Sequence, residues 1–330
     1  MNVFLISFFI TINFAVLAQT NNTKKKQLCN PLVLGQPITK LATIGIENQF
    51  KSNLISIPQY LMPTTTLNST INSINNFRAN LNKNVIVKPK TYLNIGVNYL
   101  YTNFNTTTIG NIPLNKIINN NGYTSMGFTA NLFKPLNSKN FILFNAALDA
   151  NGNTFSNFNG SNIYFSGTLI YGWKKALKSM VGIGVTRTYR LGRVVHVPVL
   201  LWNETFNKKW GIDMVLPARA NVRYTPKAGQ MLTMGFELEG AQYRLQGNDL
   251  ALNNTFLQRG EIRTKIGYDK KINNNSYFSA TAGYRIMQRF DIADSYNSKT
   301  NTVNNTLKPA PFLNVGYHIT KFNKVKKGKK

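Results

Sequence analysis

The sequence predicts an all-β protein: a closed antiparallel transmembrane β-barrel of about fourteen strands, with twelve as the alternative count, behind a cleaved signal peptide. Three observations carry this. The first is a short apolar run at the start of the chain. The second is a hydrophobic period of two through most of the remainder. The third is the gathering of aromatic residues near the ends of the alternating segments, where a barrel places the girdles that sit at the two membrane interfaces.

Residues 1–18 form an apolar run that closes on Ala-Val-Leu-Ala18, just before Gln19. That is the pattern of a secretory signal cut after Ala18, although no basic residue precedes the apolar core. Nothing later approaches the length of uninterrupted apolar sequence that a spanning helix needs. Residues 19–40 are polar, basic and turn-rich and read as a periplasmic lead-in. Cys29 lies within it. Lys24, Lys25 and Lys26 separate it from the apolar run, so it reads as an inert thiol, not a lipidated one.

Residues 41–322 carry the barrel. In Trp210–Tyr224 one face holds Trp210, Ile212, Met214, Leu216, Ala218, Ala220, Val222 and Tyr224. The other holds Gly211, Asp213, Val215, Pro217, Arg219, Asn221 and Arg223. The same alternation runs through Leu93–Tyr101, Leu232–Glu239, Phe278–Met287 and Leu313–Thr320. Successive strand side chains point to opposite faces, so each segment has one apolar and one polar face. Segments of this length cross a hydrocarbon layer when tilted, and a strand in lipid cannot leave an open edge, so the sheet must close.

Alternating segments fall at 42–52, 74–87, 90–102, 122–133, 141–149, 162–172, 180–190, 195–206, 210–224, 231–245, 260–269, 277–290 and 310–322. Long connectors (53–73, 103–121, 150–161, 246–259, 291–309) alternate with short ones, as outer loops alternate with periplasmic turns. The phase of that alternation slips once. A further reversal at Pro217-Ala218-Arg219 restores it, because proline cannot donate to a sheet ladder. The count is then fourteen, with both termini in the periplasm. The basic tail at 323–330 follows Phe322, an aromatic residue of the kind that ends many outer-membrane barrels.

Composition removes several function classes. The chain has 330 residues, 39 Lys and Arg against 11 Asp and Glu, a formal net charge of +28, and 47 asparagines. A single cysteine rules out an internal disulfide or a multi-cysteine metal site, and two histidines leave little for a transition-metal enzyme. No cofactor is implied. The basic residues are scattered through turns, without a basic helix or an aromatic RNA-binding motif, so nucleic acid is not an expected partner. Turn lysines such as Lys139, Lys174, Lys175, Lys208, Lys209, Lys270 and Lys271 suit contact with outer-membrane lipid headgroups and lipopolysaccharide at both rims. A barrel of this kind also needs the barrel-assembly machinery as a partner.

Trp210-Gly-Ile-Asp-Met-Val-Leu-Pro217, Val222-Arg-Tyr224, Gly235-Phe-Glu-Leu-Glu-Gly240 and Tyr243-Arg-Leu245 resemble a Gram-negative outer-membrane barrel family known only as a domain of unknown function. The resemblance covers residues 41–322. It implies a barrel in the bacterial outer membrane and carries no activity with it.

Charges of both signs fall on the polar faces. The candidate lumen-lining residues are Arg219, Arg223, Glu237, Glu239, Glu261, Arg263 and Arg285. One reading is a passive, porin-like pore lined by arginine for small anionic solutes. The other is an interior network in which each acid pairs with an arginine and holds the barrel's shape, because buried charges need partners. The glutamates would then face Arg219, Arg223 and Arg263 on adjacent strands. A closed barrel of that kind would act through its long outer loops. Catalysis is not expected: His196 and His318 lack a motif that selects a nucleophile, and Asp291 and Asp294 suit a solvated loop better than a cation site.

Overall fold

The computed structural model describes residues 28–36, 39–59, 66–107, 122–153, 162–245 and 254–320. The signal-peptide segment, the basic tail at 323–330 and parts of the long outer connectors lie outside the described residues.

Sixteen strands form one sheet. They are β1 (Lys40–Gln49), β2 (Ser52–Pro58), β3 (Leu67–Lys88), β4 (Thr91–Thr107), β5 (Tyr123–Pro135), β6 (Asn140–Gly152), β7 (Ile163–Ala176) and β8 (Ser179–Thr188). Then follow β9 (Val195–Thr205), β10 (Trp210–Leu216), β11 (Arg219–Tyr224), β12 (Gln230–Arg244), β13 (Phe256–Asn273), β14 (Ser276–Ala293), β15 (Asn301–Leu307) and β16 (Ala310–Thr320). Neighbours in sequence pair antiparallel, and the sheet closes where β1 pairs with both β3 and β16. Two strands are interrupted copies of one. β1 and β2 both run against β3, with a break at Phe50–Lys51, and β15 and β16 both run against β14. The wall is therefore a fourteen-stranded closed barrel.

The reversal at Pro217 is present: β10 and β11 pair from Trp210↔Tyr224 to Val215↔Arg219 around a turn at Pro217–Ala218. Other boundaries move. The connector expected at 53–73 holds β2 and the first turns of β3, and the one at 291–309 holds β15. These stretches are rich in Asn, Ser and Thr, so their alternation is masked by side chains that also favour loops. They extend the wall above the level that alternation alone marks.

Outward side chains are apolar. Ile46 and Met234 are each 65% exposed, and Ile44, Leu81, Val97, Phe128, Ile183, Leu313 and their neighbours continue the same belt. Such a belt has lipid, not water, as its solvent. The short turns gather at the end where Lys40 and Thr320 lie, as the periplasmic end of such a barrel requires.

Candidate functional site

The lumen is built in levels, each dictated by what the inward positions carry. At mid-height, inward residues of β1, β3, β12, β13 and β14 are charged. Glu47, Glu237, Glu239 and Glu261 meet Arg78, Arg259, Arg263, Arg285 and Lys265. Arg263 Nη1 lies 2.5 Å from Glu239 and 3.0 Å from Glu237, and its Nη2 donates to Glu47. Arg285 Nη2 lies 2.7 Å from Glu261, Arg78 Nη2 2.5 Å from Glu239, and Lys265 bonds Glu237. Asn76 and Gln49 complete the shell, donating to Glu47 and accepting from Arg285. The Glu47 and Glu261 carboxylates are 0% exposed and the Arg285 guanidinium 1%. Charges so deeply buried persist only when each is paired and hydrogen-bonded.

Above this layer the barrel is pinched shut. β12 and β6, on opposite sides of the wall, touch where Arg244 pairs with Gly152. Beneath the pinch Phe104, Tyr123, Tyr164, Tyr243, Leu257 and Phe290 pack into one buried cluster, with the Tyr123 and Tyr243 rings 5.1 Å apart. Burying rings from both sides of the lumen removes their apolar area from water and holds the walls together.

Below it, the segment from Cys29 to Gln36 enters the periplasmic mouth. Cys29 and Val33 pack with Phe133, Phe141, Ile170 and Leu201. Lys174 turns inward and donates to Asn30 O at 2.8 Å, to Asn30 Oδ1 at 2.6 Å and to Leu32 O. Arg223 donates to the Gly35 carbonyl. The Cys29 thiol bonds the Asn140 carbonyl at 3.4 Å, and burial pushes its pKa up, which keeps it the protonated, unreactive form.

On the opposite side of the lumen from the charges, the inward residues are small and neutral: Thr129, Asn145, Ala147, Ser166, Thr168 and Thr186, from β5 to β8. They leave a chamber of about 360 Å³, whose lining also takes in Arg190, Arg219 and Glu237. Its side wall is incomplete. β9 pairs with β10 only from Leu200 to Thr205, and β12 pairs with β11 only from Leu232 to Glu237. Above the Pro217–Ala218 turn, Val195–Val199 of β9 and Leu238–Arg244 of β12 have no strand between them. The β8–β9 connection leans across the top of this gap. A side-chain carbon on Gly240 would lie 2.5 Å from Arg190 O, and one on Gly260 2.6 Å from the Leu191 carbonyl carbon, so glycine at both positions admits the loop. The result is a window in the wall. Val197, Val199 and Pro217 border the chamber inside and also an apolar groove outside, made by Ile183, Val185, Pro198, Leu200 and Leu216.

The seven sequence-derived lining residues fall in three separate places. Glu237, Glu239, Glu261, Arg263 and Arg285 form the charge layer. Arg219 stands apart, half exposed beside the chamber and 3.7 Å from Asp213. It sits opposite Glu237 in register, yet that carboxylate turns to Arg263 and Lys265 on β13. Arg223 lies too near the periplasmic mouth to reach a glutamate and binds backbone carbonyls instead. Sequence reasoning missed Glu47 and Arg78, which reach the same layer from the far side of the closure. Each stands on an alternating inward face, but alternation says nothing about which faces meet across a lumen.

His196 is exposed on the outer face. His318 faces inward, stacked on Tyr277, with Nδ1 2.9 Å from Ser279 Oγ. Ser279 also donates to Asp269 at 2.6 Å, so its proton is held by the carboxylate and not by the imidazole, unlike an activated nucleophile. Asp291 accepts from the Asn305 backbone N–H at 3.0 Å. Asp294 is held below the usual carboxylate range by the Ser298 hydroxyl, then by Ser295, within its own loop. Among the described residues no cluster of three or more His, Cys, Asp or Glu could hold a metal ion.

A closed barrel with this outer belt has the architecture of the bacterial outer membrane. Among solved structures the chain is similar to a Pseudomonas aeruginosa FadL homologue, at 7% identity over 84% of this chain and 90% of that one, with a TM-score of 0.43. It is also similar to the COG4313 outer membrane channel from Pseudomonas putida F1, at 11% identity over 91% and 100%, TM-score 0.41. A third likeness is to the P. putida toluene transporter TodX, at 9% identity over 85% and 90%, TM-score 0.35. No curated protein matches the chain. A family match covers residues 50–320, nearly the whole barrel, and the chain belongs to that family, described as Domain of unknown function (DUF6268).

Proposed function

We propose that this barrel is an outer-membrane channel for small uncharged molecules of apolar or hydroxylated character, which exchange between the lumen chamber and the bilayer through the side window. The observation that carries the reading is the missing wall between β9 and β12 above Pro217–Ala218, with a chamber lined mostly by small uncharged residues behind it and an apolar groove in front. Among the described residues the axis is obstructed at several levels. The aromatic pinch, the paired charge layer and the Cys29–Gln36 segment stand one above another along it.

This favours a closed axis over an arginine-lined anion pore. Guanidinium groups already bonded to glutamates have little field left for a passing anion, and of the four candidate arginines Arg263 and Arg285 are held in this way. The chamber's hydroxyls and amides outnumber its charged groups, Arg190, Arg219 and Glu237, which suits neutral solutes.

Two measurements on the detergent-folded protein test this. Planar-bilayer recordings should show no steady ion conductance. Titration with N-phenylnaphthylamine, an uncharged apolar fluorophore, should show saturable binding that is lost when Thr186→Trp fills the chamber. A steady anion-selective conductance, or binding unaffected by Thr186→Trp in a folded barrel, would overturn the reading.

A further inference from the structure

We infer that the periplasmic rim is a binding surface for anionic phospholipid headgroups, and that the outer rim is not. The turns at the terminus end carry Lys88 and Lys90, Lys139, Lys175 and Lys178, Lys208 and Lys209, Lys227, and Lys270 and Lys271, all exposed. None of these turns contains an acid. The described acids lie elsewhere: in the charge layer, at the outer end, inside the mouth, or, for Glu204, bonded to Trp202 Nε1. The sequence that follows Thr320 adds further lysines.

The outer end differs in kind. Among the described residues it has fewer exposed lysines, Lys51, Lys299 and Lys308, and its arginines are already committed to the protein: Arg190 lies 3.9 Å from Asp149, and Arg193 donates to Gln258 and Asn301. Arg187, on the outward face, donates to the Phe165 carbonyl and lies over that ring. Lipid contact of equal character at both rims is therefore not what the charges support.

A second observation fixes the depth. All three tryptophans, Trp173, Trp202 and Trp210, lie within a few residues of the lysine-bearing turns, and Tyr171, Phe206 and Tyr224 join them. Such a girdle marks the headgroup level. The lysines stand just beyond it, where an ammonium on a flexible stem reaches a phosphodiester as a point charge. The partner is thus a phospholipid phosphate of the periplasmic leaflet, continuous with the lipid already covering the belt.

The test is native mass spectrometry of the full chain released from bilayers of phosphatidylglycerol and phosphatidylethanolamine in equal amounts. The wild type should retain phosphatidylglycerol in preference. K208Q/K209Q and K270Q/K271Q should each reduce that preference, by about fivefold per lysine removed, with R187Q/R190Q as the outer-end control leaving it unchanged. Each variant is first checked for barrel folding by heat-modifiable gel migration. Raised salt should weaken the preference in the wild type. Equal retention of the two lipids by the wild type would overturn the inference. So would a preference that survives both lysine variants, or one that the outer-end control abolishes.

Discussion

The two sides of this barrel wall solve opposite problems. From β12 round to β3 the strands are long and their inward positions carry Glu and Arg, so the lumen beside them is filled with bonded charge. From β5 to β11 most inward positions at chamber height are Thr, Ser, Ala, Asn and Val, and the β10–β11 hairpin stops short, so the lumen beside them is open and the wall has a window. One side shows what buried charge does when fully paired: it takes up space rigidly. The other shows what small residues do: they leave space. A solute chamber follows from that asymmetry, not from a ring of like charges.

The largest effect should come from breaking the filled side. Glu47→Ala leaves Arg263 and Arg285 without their shared carboxylate and should destabilise the barrel by about 3–5 kcal/mol in equilibrium urea unfolding. Next comes the roof of the window. Gly240→Val would drive a side-chain carbon to 2.2 Å from Arg259 O and 2.5 Å from Arg190 O. The β8–β9 loop must then shift, at a cost of roughly 1–3 kcal/mol. The same unfolding assay reports the cost, and faster proteolysis between Tyr189 and Val194 reports the shift.

A smaller effect is expected at the periplasmic mouth. Lys174→Met removes the ammonium that holds Asn30 and Leu32, while its carbon stem is kept. The Cys29 thiol should then react with a maleimide at least about tenfold faster, because bonds from a charged donor contribute ~1.5–3 kcal/mol. An unchanged labelling rate would mean that apolar packing against Phe133 and Phe141 holds the segment by itself. The smallest effect on stability belongs to Arg219→Gln. Its pair with Asp213 is half exposed, so loss should be within about 1 kcal/mol.

The filled side was largely legible in the sequence, and the open side only in part. Alternation placed Glu237, Glu239, Glu261, Arg263 and Arg285 on inward faces because a strand's period of two is fixed by its backbone. It could not supply Glu47 and Arg78, whose role depends on which strands meet at the closure. Connector lengths and Pro217 revealed the extra hairpin that makes fourteen strands. That this hairpin is too short for its neighbours was hidden, because Val195–Val199 and Leu238–Arg244 alternate whether or not a strand lies between them. β15 was missed because Asn and Thr dominate it, and β2 because it is short and ends on a proline. The segment at the mouth read as a polar lead-in, since its anchors, Lys174 and Arg223, are distant in sequence.

The direction of passage separates a sideways route from an axial one, and uptake of N-phenylnaphthylamine by intact cells tests it most directly. Cells producing the wild-type barrel should take up this fluorophore faster than cells without it. Ala218→Trp, which places an indole at the sill of the window, should return uptake to the background level while the barrel remains folded. Uptake that persists with the window blocked would contradict a sideways route and place the path along the axis after all.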